Sequence, residues 1–178
     1  SHYDRRVTET TSPPCTLAVD LGGTKVEAAL VRDGVVLEGT RHRAPTGRSA
    51  DADALTAAVR DVVGRTLAAV PAGARIDGAG IGSAGPVDRH AGTISPLNLP
   101  VEDFPLAWVV ADVVGDDVPV VLALDGTCIA LAEARYGAAR DVDSSVSMVV
   151  STGVGGGIVL GGAVVPGDSG DAGHVGQL

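Results

Sequence analysis

The chain has 178 residues, 45% hydrophobic and 20% charged, with a formal net charge of −9. That length holds about one domain, or one domain and part of a second, and the apolar fraction excludes a disordered chain. Aromatics make up only 2% (Tyr3, Phe104, Trp108 and Tyr136), so the core is built from Val, Ala and Leu, base-stacking platforms are absent, and the acidic balance argues against a nucleic-acid partner.

Residues 1–14 are polar and Pro-ended and are expected to form a flexible tail. Thr16–Leu21 reads as a buried strand, Gly22-Gly23 as a turn, and Lys25–Val31 as a second strand. Asp33-Gly34 is a hairpin signal leading into a third strand over Val35–Thr40. Residues 49–70 carry Leu55, Val59, Val62, Val63 and Leu67 at helical spacing, with Ser49 or Asp51 as the cap. Ile76–Gly82 is a short strand, and residues 83–102 are irregular. A helix is expected after Asp103 as cap and Pro105 in the first turn. Val118–Leu124 is nearly all apolar, the pattern of a central strand covered on both faces. Thr127–Tyr136 continues as a helix ended by Gly137. From Ser144 the pattern returns to strands: Ser145–Ser151, a glycine cluster, Ile158–Leu160 and Ala163–Val165. Two halves that open with the same three-strand device imply an internal duplication with a cleft between them.

Four segments carry candidate chemistry. In Asp20-Leu21-Gly22-Gly23-Thr24-Lys25 a strand ends near a carboxylate, and two glycines admit close backbone approach of an anion; a plain hairpin explains the same residues equally well. Ser151-Thr152-Gly153-Val154-Gly155-Gly156-Gly157 is a second glycine-rich segment between strands, either a hairpin or the other jaw of a polyphosphate clamp. Asp125 closes an apolar strand and opens a helix, which suits an N-cap or a general base. Gly80–Asp88, with Gly85, and the loop around Asn98 offer turns and one amide for a hydroxyl-rich ligand; a structural turn at Asn98 explains the loop more simply. Lys25, Asn98 and Gln177 are each the single residue of their type against twelve arginines, the signature of a GC-rich genome. His174 near the end is isolated, with no cysteine beside it to complete a zinc site.

Taken in this order, these segments resemble the ROK family (repressor, open reading frame, kinase) of bacterial sugar kinases, from about Thr16 to Leu178. The resemblance implies an α/β, actin/hexokinase-like (ribonuclease H-like) ATPase fold: one complete lobe over 15–125 and the start of a second, truncated lobe over 126–178. It implies ATP-dependent phosphorylation of a hexose or N-acetylhexosamine hydroxyl, by a chain that is itself an incomplete fragment. Asp20, Gly22, Gly23, Thr24 and Lys25 then form the first phosphate loop, with Asp20 orienting Mg²⁺ through water. Thr152, Gly153, Gly155 and Gly156 form the second. Asp125 becomes the base, and Gly85, Asn98, Asp125 and His174 border the sugar. Leu124-Asp125-Gly126-Thr127 stands where the family reads Asn-Asp-Ala-Asn, which removes one sugar contact. His174 stands at the family's sugar-binding glutamate, as in the N-acetylmannosamine kinase branch. Gln177 occupies a zinc-ligand position that it fills poorly, which leaves the family's structural zinc in doubt.

No apolar run reaches the ~20 residues of a membrane span, and Cys15 and Cys128 make no spaced pair, so a cytoplasmic protein is expected. A homodimer is implied for the full-length form. The competing expectation is a non-catalytic sugar-binding regulator or sensor of the same family.

Overall fold

The computed structural model describes residues 13–47, 50–150, 154–168 and 170–173. Residues 1–12 of the expected tail, Thr152, Gly153, His174 and Gln177 lie outside them. Strands β1 (Cys15–Leu21), β2 (Lys25–Arg32), β3 (Val35–Val36), β4 (His42–Pro45), β5 (Ile76–Ser83) and β8 (Val120–Leu124) form one sheet. Its order is β3-β2-β1-β5-β8, with β4 also pairing β2. β1 runs antiparallel to β2 and parallel to β5, and β5 is parallel to β8. The short strands β6 (Val87–Asp88) and β7 (Thr93–Ile94) make a separate ribbon. β9 (Ser145–Val150), β10 (Val154–Leu160) and β11 (Ala163–Val164) form a second, antiparallel sheet.

Alternation along β1 sets the layers. Cys15, Leu17, Val19 and Leu21 are buried, and Thr16 and Asp20 are exposed on the opposite face. The buried side packs under α1 (Ala52–Ala68) and α2 (Leu106–Val114), in a core that joins Leu17, Leu21 and Leu30 to Leu55, Val59, Val62, Leu106 and Val110. α1 starts where expected, because the Asp51 carboxylate accepts the Ala54 N–H at 2.9 Å. α3 (Asp125–Tyr136) follows β8 directly and packs against β9 and β10, linking the two sheets.

Several expectations need correction. The third strand stops at Val36; the chain turns at Gly39 and re-enters the sheet as β4, opposite β2. Asp103 does not cap α2. It sits at φ 47°, its N–H is donated to Ser95 Oγ, and the helix begins after Pro105. The Phe104–Ile94 bridge draws the chain away from a capping geometry. β8 lies at the end of the sheet rather than its centre, and Val121 is 58% exposed. The described part of the glycine cluster is not a loop between strands, because Val154–Leu160 is itself the strand.

Candidate active site

Three parallel strands end level with one another. Leu21, Ser83 and Leu124 are partners across β1, β5 and β8, so the Gly22-Gly23 turn, the Ala84-Gly85 turn and Asp125 leave the sheet side by side. Carboxyl ends of parallel strands are where such sheets open onto ligands. The first turn is closed by the Gly22 N–H on Lys25 O at 2.9 Å. Thr46 braces it, donating its N–H to Thr24 O (3.1 Å) and its hydroxyl to Gly22 O (3.2 Å).

Asp125 is the first residue of α3, and Leu124 is the N-cap. Its carboxylate accepts the Gly126 N–H at 2.6 Å, so among the described residues it is not the usual cap of a later helical amide. Asp20 lies on the open face of the sheet, close enough for the two carboxylates to repel. Desolvation pushes the Asp20 carboxyl above its ordinary range, Lys25 opposes that, and Asp125 and Glu27 add to it. Burial, followed by Asp125 and Asp20, likewise pushes the Cys128 thiol up. All three side chains border a trough of about 510 Å³ floored by Gly80, Gly82 and Ala123.

Two carboxylates in a partly desolvated corner favour a cation. Among the described residues no group of three or more His, Cys, Asp or Glu side chains is arranged to hold a metal. Mg²⁺ needs no such cage, because it commonly keeps its waters and takes one or two carboxylates plus phosphate oxygens. Asp20 and the anion-ready turn beside it fit that chemistry. Lys25, expected in the phosphate loop, is instead paired to Glu27 at 2.9 Å, and Glu27 also holds Arg41 at 2.9 Å. The Lys25 hydrogen bond is the main cause that keeps the Glu27 carboxyl below its ordinary value.

Asn98 reaches this corner from the loop after β7. A Cβ added to Gly23 would stand 2.5 Å from Asn98 Cγ, so the amide lies directly on the first turn and a side chain at 23 would displace it. Gly85 is held as tightly: its Cβ would meet Leu124 Cδ1 at 2.6 Å. The structure therefore brings Asp20, Gly22, Gly23, Gly85, Asn98 and Asp125 together.

Behind Asp125 four glycines meet backbone to backbone. A Cβ on Gly126 would overlap the Gly156 carbonyl, standing 2.6 Å from its carbon. One on Gly157 would overlap the Gly126 carbonyl and stand 2.7 Å from Ala130 Cβ, and one on Gly173 would stand 2.7 Å from Gly156 O. Gly156 is thus consumed by packing, whereas Gly155 has nothing within 4 Å. Sequence reasoning missed this contact. Its signal was the glycine at 126, where the resemblance expects alanine.

The arrangement pairs a carboxylate able to take a proton with a second carboxylate suited to a cation and a turn suited to an anion. The family model described as ROK family matches residues 16–178. The N-acetylmannosamine kinase of Escherichia fergusonii is 36% identical over 165 residues, covering 91% of this chain and 53% of that protein. A ROK family glucokinase from Streptomyces griseus, solved with glucose and AMPPNP, superposes with a TM-score of 0.76 at 31% identity, over 90% of this chain and 49% of that one. A ROK family transcriptional regulator, homolog of the E. coli MLC protein, gives a TM-score of 0.78 at 28% identity, over 90% of this chain and 40% of that one. The chain spans about half the length of the curated kinase it matches.

Proposed function

The chain belongs to the ROK family, with its actin-like ATPase fold, and on that premise we propose that it carries the catalytic corner of an ATP-dependent sugar kinase. The observation that supports this most directly is the level ending of β1 and β8, which sets Asp20, the Gly22-Gly23 turn and Asp125 around one point.

In this reading the sugar hydroxyl lies against Asp125, which accepts its proton as the oxygen attacks the γ-phosphoryl group. Backbone N–H groups of Gly23 and Thr24 hold the transferred phosphate on a turn closed by the Gly22 N–H, and the start of β10 at Gly155 faces the donor from the other side. Asp20 would hold Mg²⁺ through water, and the ion would supply neutralisation of the phosphate charge. Asn98 and the Gly85 turn orient the sugar. The acceptor is an N-acetylhexosamine or hexose; His174 and the likeness to N-acetylmannosamine kinase favour the former. Lys25 acts on the donor only by exchanging Glu27 for phosphate.

No helix among the described residues is long and apolar enough to cross a membrane. A cytoplasmic homodimer with no nucleic-acid partner completes the reading; the net charge of −9 supports the absence of nucleic acid.

The test is a coupled phosphorylation assay on the protein at the full length of its relatives, offering glucose and N-acetylmannosamine as acceptors and ATP or polyphosphate as donors. Asp125→Asn should lower kcat by about 10²–10⁴-fold and leave sugar binding measured by calorimetry intact. Undiminished turnover in that variant refutes the assignment. The second reading is a silent sugar sensor, favoured by the closeness of the fold to a regulator. It predicts wild-type sugar binding without turnover on any acceptor or donor.

A further inference from the structure

We infer that Asp171 is a positioning residue for the acceptor sugar, acting from the second half of the chain on the turn between β5 and β6. The inference rests on the sugar-kinase reading and deepens it.

Asp171 lies in the loop after β11, which is folded tightly on itself. The Ala172 N–H is donated to Pro166 O at 3.1 Å, and Gly170 adopts φ 99° against Arg89 and Val87. From this loop Asp171 Oδ1 accepts the Val87 N–H at 3.1 Å across 84 residues of sequence. The same oxygen stands 3.2 Å from the place where Gly85 would carry a Cβ, and that place is 2.6 Å from Leu124 Cδ1. Asp171, the Gly85 turn and Leu124 therefore stack in order, and Asp125 follows Leu124 directly. Because any side chain at 85 would push Leu124 and Asp171 apart, the carboxylate fixes how closely the sugar-side turn approaches the base. Asp171 also walls a cavity of about 340 Å³ beside Pro86, Val87 and Asp88. From its own lobe the turn is held by the Ala84 N–H on Leu21 O (3.1 Å) and the Ser95 N–H on Pro86 O (3.0 Å); the bond from the loop after β11 adds a restraint at Val87 that these two do not supply.

Asp171→Ala removes the acceptor, Asp171→Glu keeps the charge but displaces it, and Asp171→Asn keeps an oxygen acceptor at the same reach. In the full-length enzyme, Ala and Glu should raise the sugar KM by about 5- to 50-fold, with kcat and the ATP KM within about threefold of wild type. Asn should remain within about threefold on every parameter. If Ala does not fold, the Glu and Asn variants decide alone. An unchanged sugar KM in the folded Ala or Glu variant overturns the inference. So does a loss spread equally over kcat, both KM values and the melting temperature, because that marks a purely structural carboxylate. If the wild-type enzyme binds and phosphorylates no sugar, the kinase reading fails first and this inference falls with it.

Discussion

Two Gly→Ala substitutions, both in helices, should move stability in opposite directions. Gly64 lies inside α1, and an added Cβ there meets nothing within 4 Å. Alanine restricts the unfolded chain and favours the helix, which stabilises by about 0.5–1 kcal/mol. Gly126 lies in the first turn of α3, and its added Cβ would stand 2.6 Å from Gly156 C and 2.8 Å from Gly156 N. Ordinary contact begins at 3.4 Å, and the opposing atoms are strand backbone hydrogen-bonded into the second sheet, so no side chain can rotate away. Relieving the overlap means lifting α3 off β10, at about 1–3 kcal/mol or more, against a helix-propensity gain of at most about 1 kcal/mol. The net is a loss of about 1–2 kcal/mol. For a chain of this size each kcal/mol moves the melting temperature by about 2–4 °C. Thermal unfolding followed by circular dichroism should therefore place Gly64→Ala a few degrees above wild type and Gly126→Ala several degrees below it. A Gly126→Ala protein melting at or above wild type would refute the backbone contact behind Asp125.

Two further outcomes follow from the same geometry. Glu27→Gln should lower stability at neutral pH by about 0.2–1 kcal/mol, because Lys25 and Arg41 are themselves about half exposed. The folded carboxyl lies below its ordinary 4.5, so the wild-type advantage is present above that value and fades as pH falls through the folded value; a gap between the two denaturation curves that persists in strong acid would contradict the pairing. Gly22→Ala and Gly155→Ala should leave the melting temperature within about 2 °C of wild type, since Gly22 has only Lys25 O at 3.8 Å and Gly155 nothing within 4 Å. Both should weaken ATP-analogue binding by calorimetry, and unchanged affinity in both variants would remove the two glycine segments from the donor site.

The parts of the fold that announce themselves locally were legible. β1, the Gly22-Gly23 turn, β2 and the Asp51-capped α1 follow from alternation, turn chemistry and helical spacing within short windows. β4 was not legible, because a four-residue strand ending at Pro45 has no period of its own. It exists through its pairing with β2, where Lys25 faces Pro45 across a gap of twenty residues. The apolar run before Asp125 signals burial on two faces, yet Val121 borders an open trough. Hydrophobicity reports what a residue tolerates, not which neighbour covers it. The corner around Asp125 was legible in type and not in arrangement. That Asn98 touches Gly23, and that Asp171 reaches Val87, are contacts between distant loops with no trace in either local sequence.

The fold also separates the residues it needs from those it does not. Gly85, Gly126, Gly156 and Gly157 are forced by a buried side chain or a backbone lying against them, and a side chain at Gly23 would displace the Asn98 amide. Gly22 and Gly155 are forced by nothing among the described residues, and neither has a positive φ that would exclude a side chain. Asp125 follows the same logic. The helix it begins takes its cap from Leu124 without a side-chain bond, and the carboxylate stands where it repels Asp20, which burial strips of water. Like charges in a desolvated corner oppose folding, so their presence calls for a gain outside the fold. A cation between them, and an anion on Gly22 and Gly155, would supply that gain together. In the kinase reading, Gly22, Gly155 and the repelling carboxylates are residues whose identity a phosphoryl donor and its metal would explain.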